Sequence, residues 1–261
     1  MWLIVSTLVV YLVTAAAVFG LQLVAVTALL TWRTGTLDIE RDGLTALLVG
    51  VPASSLTLIG IALLVAGRHR RVRLRLLPSR LSPGEVVVAV VGMLALSQAL
   101  DSLVQLLGVG AGPALEWMNR TLAAASRGGL VLAVIVVGLL APVGEELFFR
   151  GYMLTRLRQA WSPGPAILVT AIAFGIIHGE WVHGVLAAGI GIYLGVVAER
   201  SGSVLPAIIC HAANNTASVL ISAWVGSPHG RGLNAALAVV CALVLGCALR
   251  RLARVPQAAG T

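Results

Sequence analysis

Glu145, Glu146 and Arg150 fall within six residues of a segment that is otherwise apolar, running Gly138-Leu139-Leu140-Ala141-Pro142-Val143-Gly144 before them and Leu147-Phe148-Phe149 between them. A charge at the bilayer centre costs roughly 2.5–3.5 kcal/mol even on a lenient insertion scale, so such a cluster points to a polar interior built for chemistry or transport. Glu146 and Arg150 stand four apart with the acid on the N-terminal side, the order in which a helix pairs opposite charges. They read as a buried ion pair, because each charge makes the other tolerable. Glu145 is turned about 100° from Glu146 and is left for another partner.

The other polar residues in apolar surroundings are Asp101, His178, His211 and the pair Asn214-Asn215. Phe174 and His178 are four apart, as are His211 and Asn215, so each pair projects from one helical face. Three helices can then present Glu145, His178, and His211 with Asn215 to a common cavity. A carboxylate among imidazoles suits water activation, but a proton relay or polar glue between helices fits the same residues. Taken singly, His178 reads as a satisfied core histidine, Phe174 as packing, and Asp101 as interhelical glue near the outer end of its helix. The string from His178 to His183 resembles a zinc-protease helix, yet its histidines are five apart rather than four, about 140° around a helix. Glu180 and His183 are therefore expected in a short outer loop.

What must position these groups is membranous. The 261 residues are 59% hydrophobic and 11% charged, with a mean hydropathy of +0.98, outside the range of soluble domains. Spans of about 20 apolar residues are expected near 3–30, 44–66, 86–108, 129–154, 165–180, 184–198, 203–225 and 234–249, the fifth and sixth being short. The run from Trp2 to Trp32 is too long for a signal-peptide core and should remain as a span. The fold class is thus all-α, a polytopic bundle of about eight transmembrane helices around an intramembrane polar cavity. Residues 1–84 are expected to form N-terminal membrane helices and a basic cytoplasmic loop, peripheral to the chemistry. Residues 85–261 would form the catalytic membrane domain, with its core at 125–225.

The net charge is +8, and all 18 basic residues are arginines. With both termini cytoplasmic, the inner segments carry twelve of them, among Arg68–Arg80, Arg156, Arg158, Arg200 and Arg250–Arg254, and the outer segments five, Arg33, Arg41, Arg120, Arg127 and Arg231. That asymmetry satisfies the positive-inside rule and accounts for the charge through membrane lipids, without nucleic-acid binding. It also puts Arg150 toward the cytoplasmic half of its helix, from which a cytoplasm-facing cavity is expected. Cys210, Cys241 and Cys247 lack metal or redox spacing and read as packing residues.

With these residues in place the chain resembles the CAAX-protease and bacteriocin-processing (CPBP, or Abi) family of intramembrane metalloproteases. The likeness rests on three ordered motifs, EExxxR at Glu145–Arg150, FxxxH at Phe174–His178 and HxxxN at His211–Asn215, and covers about residues 125–225. It implies an endopeptidase with Glu145 as general base, His178, His211 and Asn215 as further catalytic groups, and Glu146, Arg150, Phe174 and Asn214 in support. It leaves open zinc or another divalent metal on Glu145, His178 and His211, an acceptable ligand set with water in fourth place. Spacing does not choose between a metal-bound and a metal-free water. The implied substrate is a peptide or membrane-anchored protein. The arginine-only, alanine- and valine-rich composition suits a bacterial plasma membrane. The oligomeric state is not set by the sequence. The competing reading is a non-proteolytic immunity or scaffold factor, or a small transporter, although no paired halves of a transporter are visible.

Overall fold

The computed structural model describes residues 2–36, 38–225 and 230–255. Met1 and residues 256–261, on which the placement of the termini bears, lie outside the described residues. Within them the chain is helical: α1 Trp2–Thr34, α2 Gly43–Ala66, α3 Pro83–Leu107, α4 Pro113–Ala123, α5 Arg127–Leu157, α6 Pro163–Ile176, α7 Trp181–Ser201, α8 Leu205–Trp224 and α9 Arg231–Ala253. Local chemistry sets several of the ends. Ser82 and Glu85 form a reciprocal capping box ahead of α3, with Pro83 in its first turn, and Gly108 ends α3 in the left-handed region at φ 65°. Ser126 accepts from the Gly129 amide to start α5.

Helices stand at all eight expected positions, but six of them are long and apolar enough to cross a membrane. The count of eight is therefore not reached by that measure. Helix α6 has only 14 residues, about 21 Å at the helical rise, and α8 carries His211, Asn214 and Asn215 along its length. Each keeps an apolar face outward, with Leu168 and Ile172 on α6 and Ile209 and Ile221 on α8, while its polar groups turn toward neighbouring helices rather than lipid. The outer faces of α1 and α9 are apolar and exposed, with Leu12, Val13 and Leu23 on one and Val239, Val240 and Leu243 on the other. Serine and threonine hydroxyls inside the spans, such as Thr7, Thr14 and Ser55, donate to carbonyls one turn back. Each is thereby satisfied without water.

One expectation is corrected here. Glu180 lies in the short connection before α7, as expected, but His183 does not. Glu180 is the N-cap of α7, its carboxylate accepting from the Val182 and His183 amides, and His183 lies in the first helical turn. A carboxylate satisfies those otherwise orphaned donors, so the helix begins sooner than hydropathy indicates.

The two ends of the bundle differ chemically. At one end Glu199 accepts from Arg75 at 2.5 Å and from Arg158 at 2.8 Å, Ser203 donates to the Leu77 carbonyl at 2.6 Å, and Arg200 donates to the Ala253 carbonyl. The loop 67–82, the α5 and α7 ends and the α9 end are thus gathered together on an arginine-rich face. At the opposite end the Trp117 indole donates to the Ile39 carbonyl and Arg120 meets Glu40 at 3.4 Å. Ser222 there donates to the Asn119 amide oxygen at 2.7 Å.

Helix α5 approaches α2 backbone to backbone at Gly144, where an added Cβ would stand 2.8 Å from the Ser55 carbonyl oxygen. Small residues allow such approaches where lipid supplies no hydrophobic drive. Gly144→Val should destabilise the bundle by about 1–3 kcal/mol, the usual penalty of overpacking, read as a lowered Tm in detergent. Gly60→Ala, at a position with nothing near its Cβ, should leave Tm close to that of the wild type.

Candidate active site

The centre of α5 is not a regular α-helix. Ala141–Glu146 is α-helical, but the flanking stretches Val134–Leu140 and Leu147–Leu154 take the wider π turn. Pro142 has no N–H to continue the α-helical ladder, and π turns concentrate where a helix is re-aimed. One carbonyl of the first wide stretch, that of Val137, is taken by the Asn215 side-chain amide at 3.2 Å. Helix α8 therefore completes a hydrogen bond that α5 offers.

Glu146 and Arg150 form the expected pair, Nη1 to Oε1 at 2.7 Å, with side chains 0% and 1% exposed. Arg150 spends its other arm on the Gly191 carbonyl of α7 at 3.0 Å and lies 4.6 Å from the centre of the Phe174 ring. Three helices thus supply partners to one guanidinium. The same Glu146 Oε1 is 2.9 Å from His211 Nδ1. A carboxylate already paired with arginine is an acceptor, so His211 donates from Nδ1 and turns Nε2 outward. That Nε2 stands 3.6 Å from Glu145 Oε2. Glu145 is 21% exposed where Glu146 is sealed. A single residue step, about 100° around the helix, therefore separates a structural carboxylate from an accessible one.

His178 is oriented in a related way. Its Nδ1 is 2.7 Å from the Phe174 carbonyl, an obligate acceptor, so Nδ1 donates and Nε2 remains open. The Phe174 ring meets the rings of Phe149, His178 and His211 edge to face, at 5.1, 4.9 and 5.8 Å. Phe174 is thus more than packing: its carbonyl sets one imidazole, and its ring spaces both from Arg150. Asn214 donates to Asn215 Oδ1 at 3.4 Å, fixing which way the Asn215 amide points.

These groups line a cavity of about 790 Å³. Glu145, Phe174, His178, His211, Asn214 and Asn215 all contribute to its wall, and so do Asp101 of α3 and His183 of α7. Sequence spacing missed His183, whose ring centre is 4.4 Å from that of His178. The Glu180 capping signal is what could have found it. Residues 1–84 are not peripheral either, since Val18, Phe19 and Gln22 of α1 and Ser54 of α2 face the same space. As placed, Glu145, His178 and His211 are not gathered into a metal-binding group, nor is any other trio of His, Cys, Asp or Glu among the described residues. The donor types suit zinc, but the side chains as placed do not form a ready ligand set for it.

The cavity does not extend toward the arginine-rich end of the bundle. Arg150 does lie toward the arginine-rich end of α5, but together with Phe148, Phe149 and Phe174 it is fully buried. These side chains form a closed floor beneath Glu145. The cavity extends the other way, along Ala141 and Val137 of α5 and Ser218 and Ser222 of α8, to Leu115 and Asn119 of α4.

Removing one member of the Glu146–Arg150 pair strands the other in the core, a loss of about 3–5 kcal/mol. Arg150→Met and Glu146→Met should each lower Tm in detergent sharply. The double substitution should recover part of the loss, because no orphaned charge remains.

Residues 127–217 match the family model of the Rce1-like type II CAAX prenyl endopeptidases. An uncharacterised 24.3 kDa protein of Escherichia coli is 29% identical over 142 residues, which are 52% of this chain. The chain spans only 61% of that relative's length. No solved structure matches. The segment 127–217 of this integral membrane protein, which supplies Glu145, His178 and His211, is Rce1-like, in keeping with its resemblance to the CAAX-protease and bacteriocin-processing family.

Proposed function

We propose that the chain is an intramembrane endopeptidase in which Glu145 activates water. The observation that carries this reading is the division of labour on α5: Glu146 is consumed by Arg150 and His211, while Glu145 remains partly exposed beside an imidazole nitrogen. A water held between Glu145 and the open Nε2 of His178 would attack the peptide carbonyl as Glu145 takes its proton. The new bond is from the water oxygen to the carbonyl carbon. The second amide hydrogen of Asn215, not used on Val137, is the donor available to the oxyanion. Collapse breaks the carbon–nitrogen bond, and the leaving amine takes the proton from Glu145, directly or through His211 Nε2. A cationic His211 would be held by Glu146 through Nδ1. The products are a carboxylate and an amine.

His211 serves this shuttle rather than the oxyanion, since its open nitrogen faces Glu145. The substrate class we favour is a peptide or membrane-anchored protein of a bacterial plasma membrane. The Rce1-like match supports proteolysis, and the arginine-only composition supports the setting.

Glu145→Gln preserves shape and removes the base. In purified protein it should lower cleavage of an internally quenched peptide by roughly 10²- to 10⁴-fold, the usual worth of general-base catalysis. Its Tm should stay near the wild-type value. Full cleavage by a folded Glu145→Gln protein would overturn the mechanism. A phenotype in cells that survives the substitution would favour an immunity or scaffold role instead.

A further inference from the structure

The arginines of the loop 67–82 divide into two groups. Arg75 is held by Glu199, Arg73 donates to the Ala66 carbonyl at the end of α2, and Arg80 donates to the Ser201 carbonyl at the end of α7. Cations placed on the last carbonyls of a helix close it, so these three are occupied by the fold. Arg68, Arg70 and Arg71 are exposed, and among the described residues none of them meets a carboxylate. The loop carries no Asp or Glu of its own. Of the carboxylates near it, Glu199 is taken by Arg75 and Arg158, and Glu85 by the Ser82 cap.

Arg68 and Arg70 also share a place. With Leu63, Leu64 and Gly67 they line a surface hollow of about 500 Å³. Helix α2 has 24 residues, about 36 Å of rise against a hydrocarbon core of about 30 Å, so its last turn stands where acyl chains give way to headgroups. Leu64 is 79% exposed there. Gly67 ends the helix in the left-handed region at φ 58°, and the sharp turn brings two guanidiniums up beside two leucines. The hollow is apolar on its helix side and doubly cationic on its loop side. Its loop is fixed, because Leu74 is fully buried and an added Cβ on Gly151 of α5 would stand 3.1 Å from the Leu74 carbonyl oxygen.

We propose that this hollow binds one anionic phospholipid, with its phosphate on Arg68 and Arg70 and the head of an acyl chain along Leu63 and Leu64. Guanidinium groups match phosphate oxygens two by two. A free phosphate would use the arginines and leave the leucines bare, and a zwitterionic headgroup would bring a cation of its own toward the arginines. The proposal is independent of the proteolytic reading. Since the loop touches α5 at Gly151, one residue after Arg150, a bound lipid also braces the end of the helix that carries the ion pair.

Native mass spectrometry of the detergent-purified protein, with equimolar dioleoylphosphatidylglycerol and dioleoylphosphatidylcholine, reads the preference. The wild type should retain one phosphatidylglycerol in roughly tenfold or greater preference, the order expected of two arginines at a headgroup. Arg68→Gln with Arg70→Gln should bring the two lipids close to parity. Arg71→Gln with Arg250→Gln removes the same charge from the same end of the bundle and should keep the preference. Equal losses in the two double variants would show diffuse surface attraction and overturn the site, as would a wild type without preference. Leu64→Ala should lower phosphatidylglycerol retention by roughly threefold, through the lost apolar contact. Arg68→Gln and Arg70→Gln singly, each with a partial loss, carry the test if the double variant does not fold. Phosphatidylglycerol should raise Tm in detergent and inorganic phosphate should not. An equal rise with phosphate would overturn the lipid assignment in favour of a free-phosphate site.

Discussion

A guanidinium and a carboxylate buried in a lipid-embedded bundle persist only where neighbouring groups replace the greater part of the hydration they lose. Arg150 meets that demand with Glu146 on its own helix, the Gly191 carbonyl on α7 and the Phe174 face on α6. Glu146 in turn receives His211 from α8. Four helices are therefore fastened at one point by the solvation needs of a single ion pair. Such a pair adds little net stability compared with apolar side chains of the same size. What it supplies is position: α5, α6, α7 and α8 can satisfy it in only one mutual arrangement, and that arrangement puts Glu145 and two imidazoles around one space.

The polarity of the imidazoles follows from the same economy. Both histidines give Nδ1 to an acceptor that has no proton to offer, one a backbone carbonyl and the other a paired carboxylate. Each ring is thereby held in one tautomer, with the open nitrogen on the far side from the anchor. The four-residue spacing of Phe174 and His178 has a plain cause in this light, because a helical carbonyl at i can accept from a ring at i+4. Two groups that look independent in the chain are oriented by one design, an anchor behind the ring and an open nitrogen before it.

Much of this was legible in the sequence. The four-residue spacing of Glu146 and Arg150 gave their contact, and the apolar runs placed the helices. The periodicity of His211 and Asn215 put them on one face. The parts that were not legible depend on relations between helices. That Phe174 serves two histidines and an arginine requires knowing that α6 packs against α7 and the C-terminal half of α5, beside the face of α5 that meets α8. His183 was hidden because its local string mimics a loop, and only the capping by Glu180 brings it back into helix. The direction in which the cavity runs could not be read from the place of Arg150 alone. An arginine near one end of a helix marks an opening if it is wet and a floor if it is dry, and burial decides which.

The wide turns on either side of Ala141–Glu146 have a further consequence. Each π turn holds one residue more than the α-helical repeat, so the length of α5 and the rotation of its two carboxylates are separately adjustable. Loss of one residue from Val134–Leu140 would let that stretch relax into an ordinary helix with its flanks nearly in register, so that mainly the carbonyls of the wide turn itself would be re-aimed. The carboxylates could then stay on their ion pair while the Val137 carbonyl swung away from Asn215. Inherited length changes in this stretch are therefore expected to be rare, even where side-chain identity varies freely, since the chain here counts residues more strictly than it chooses them.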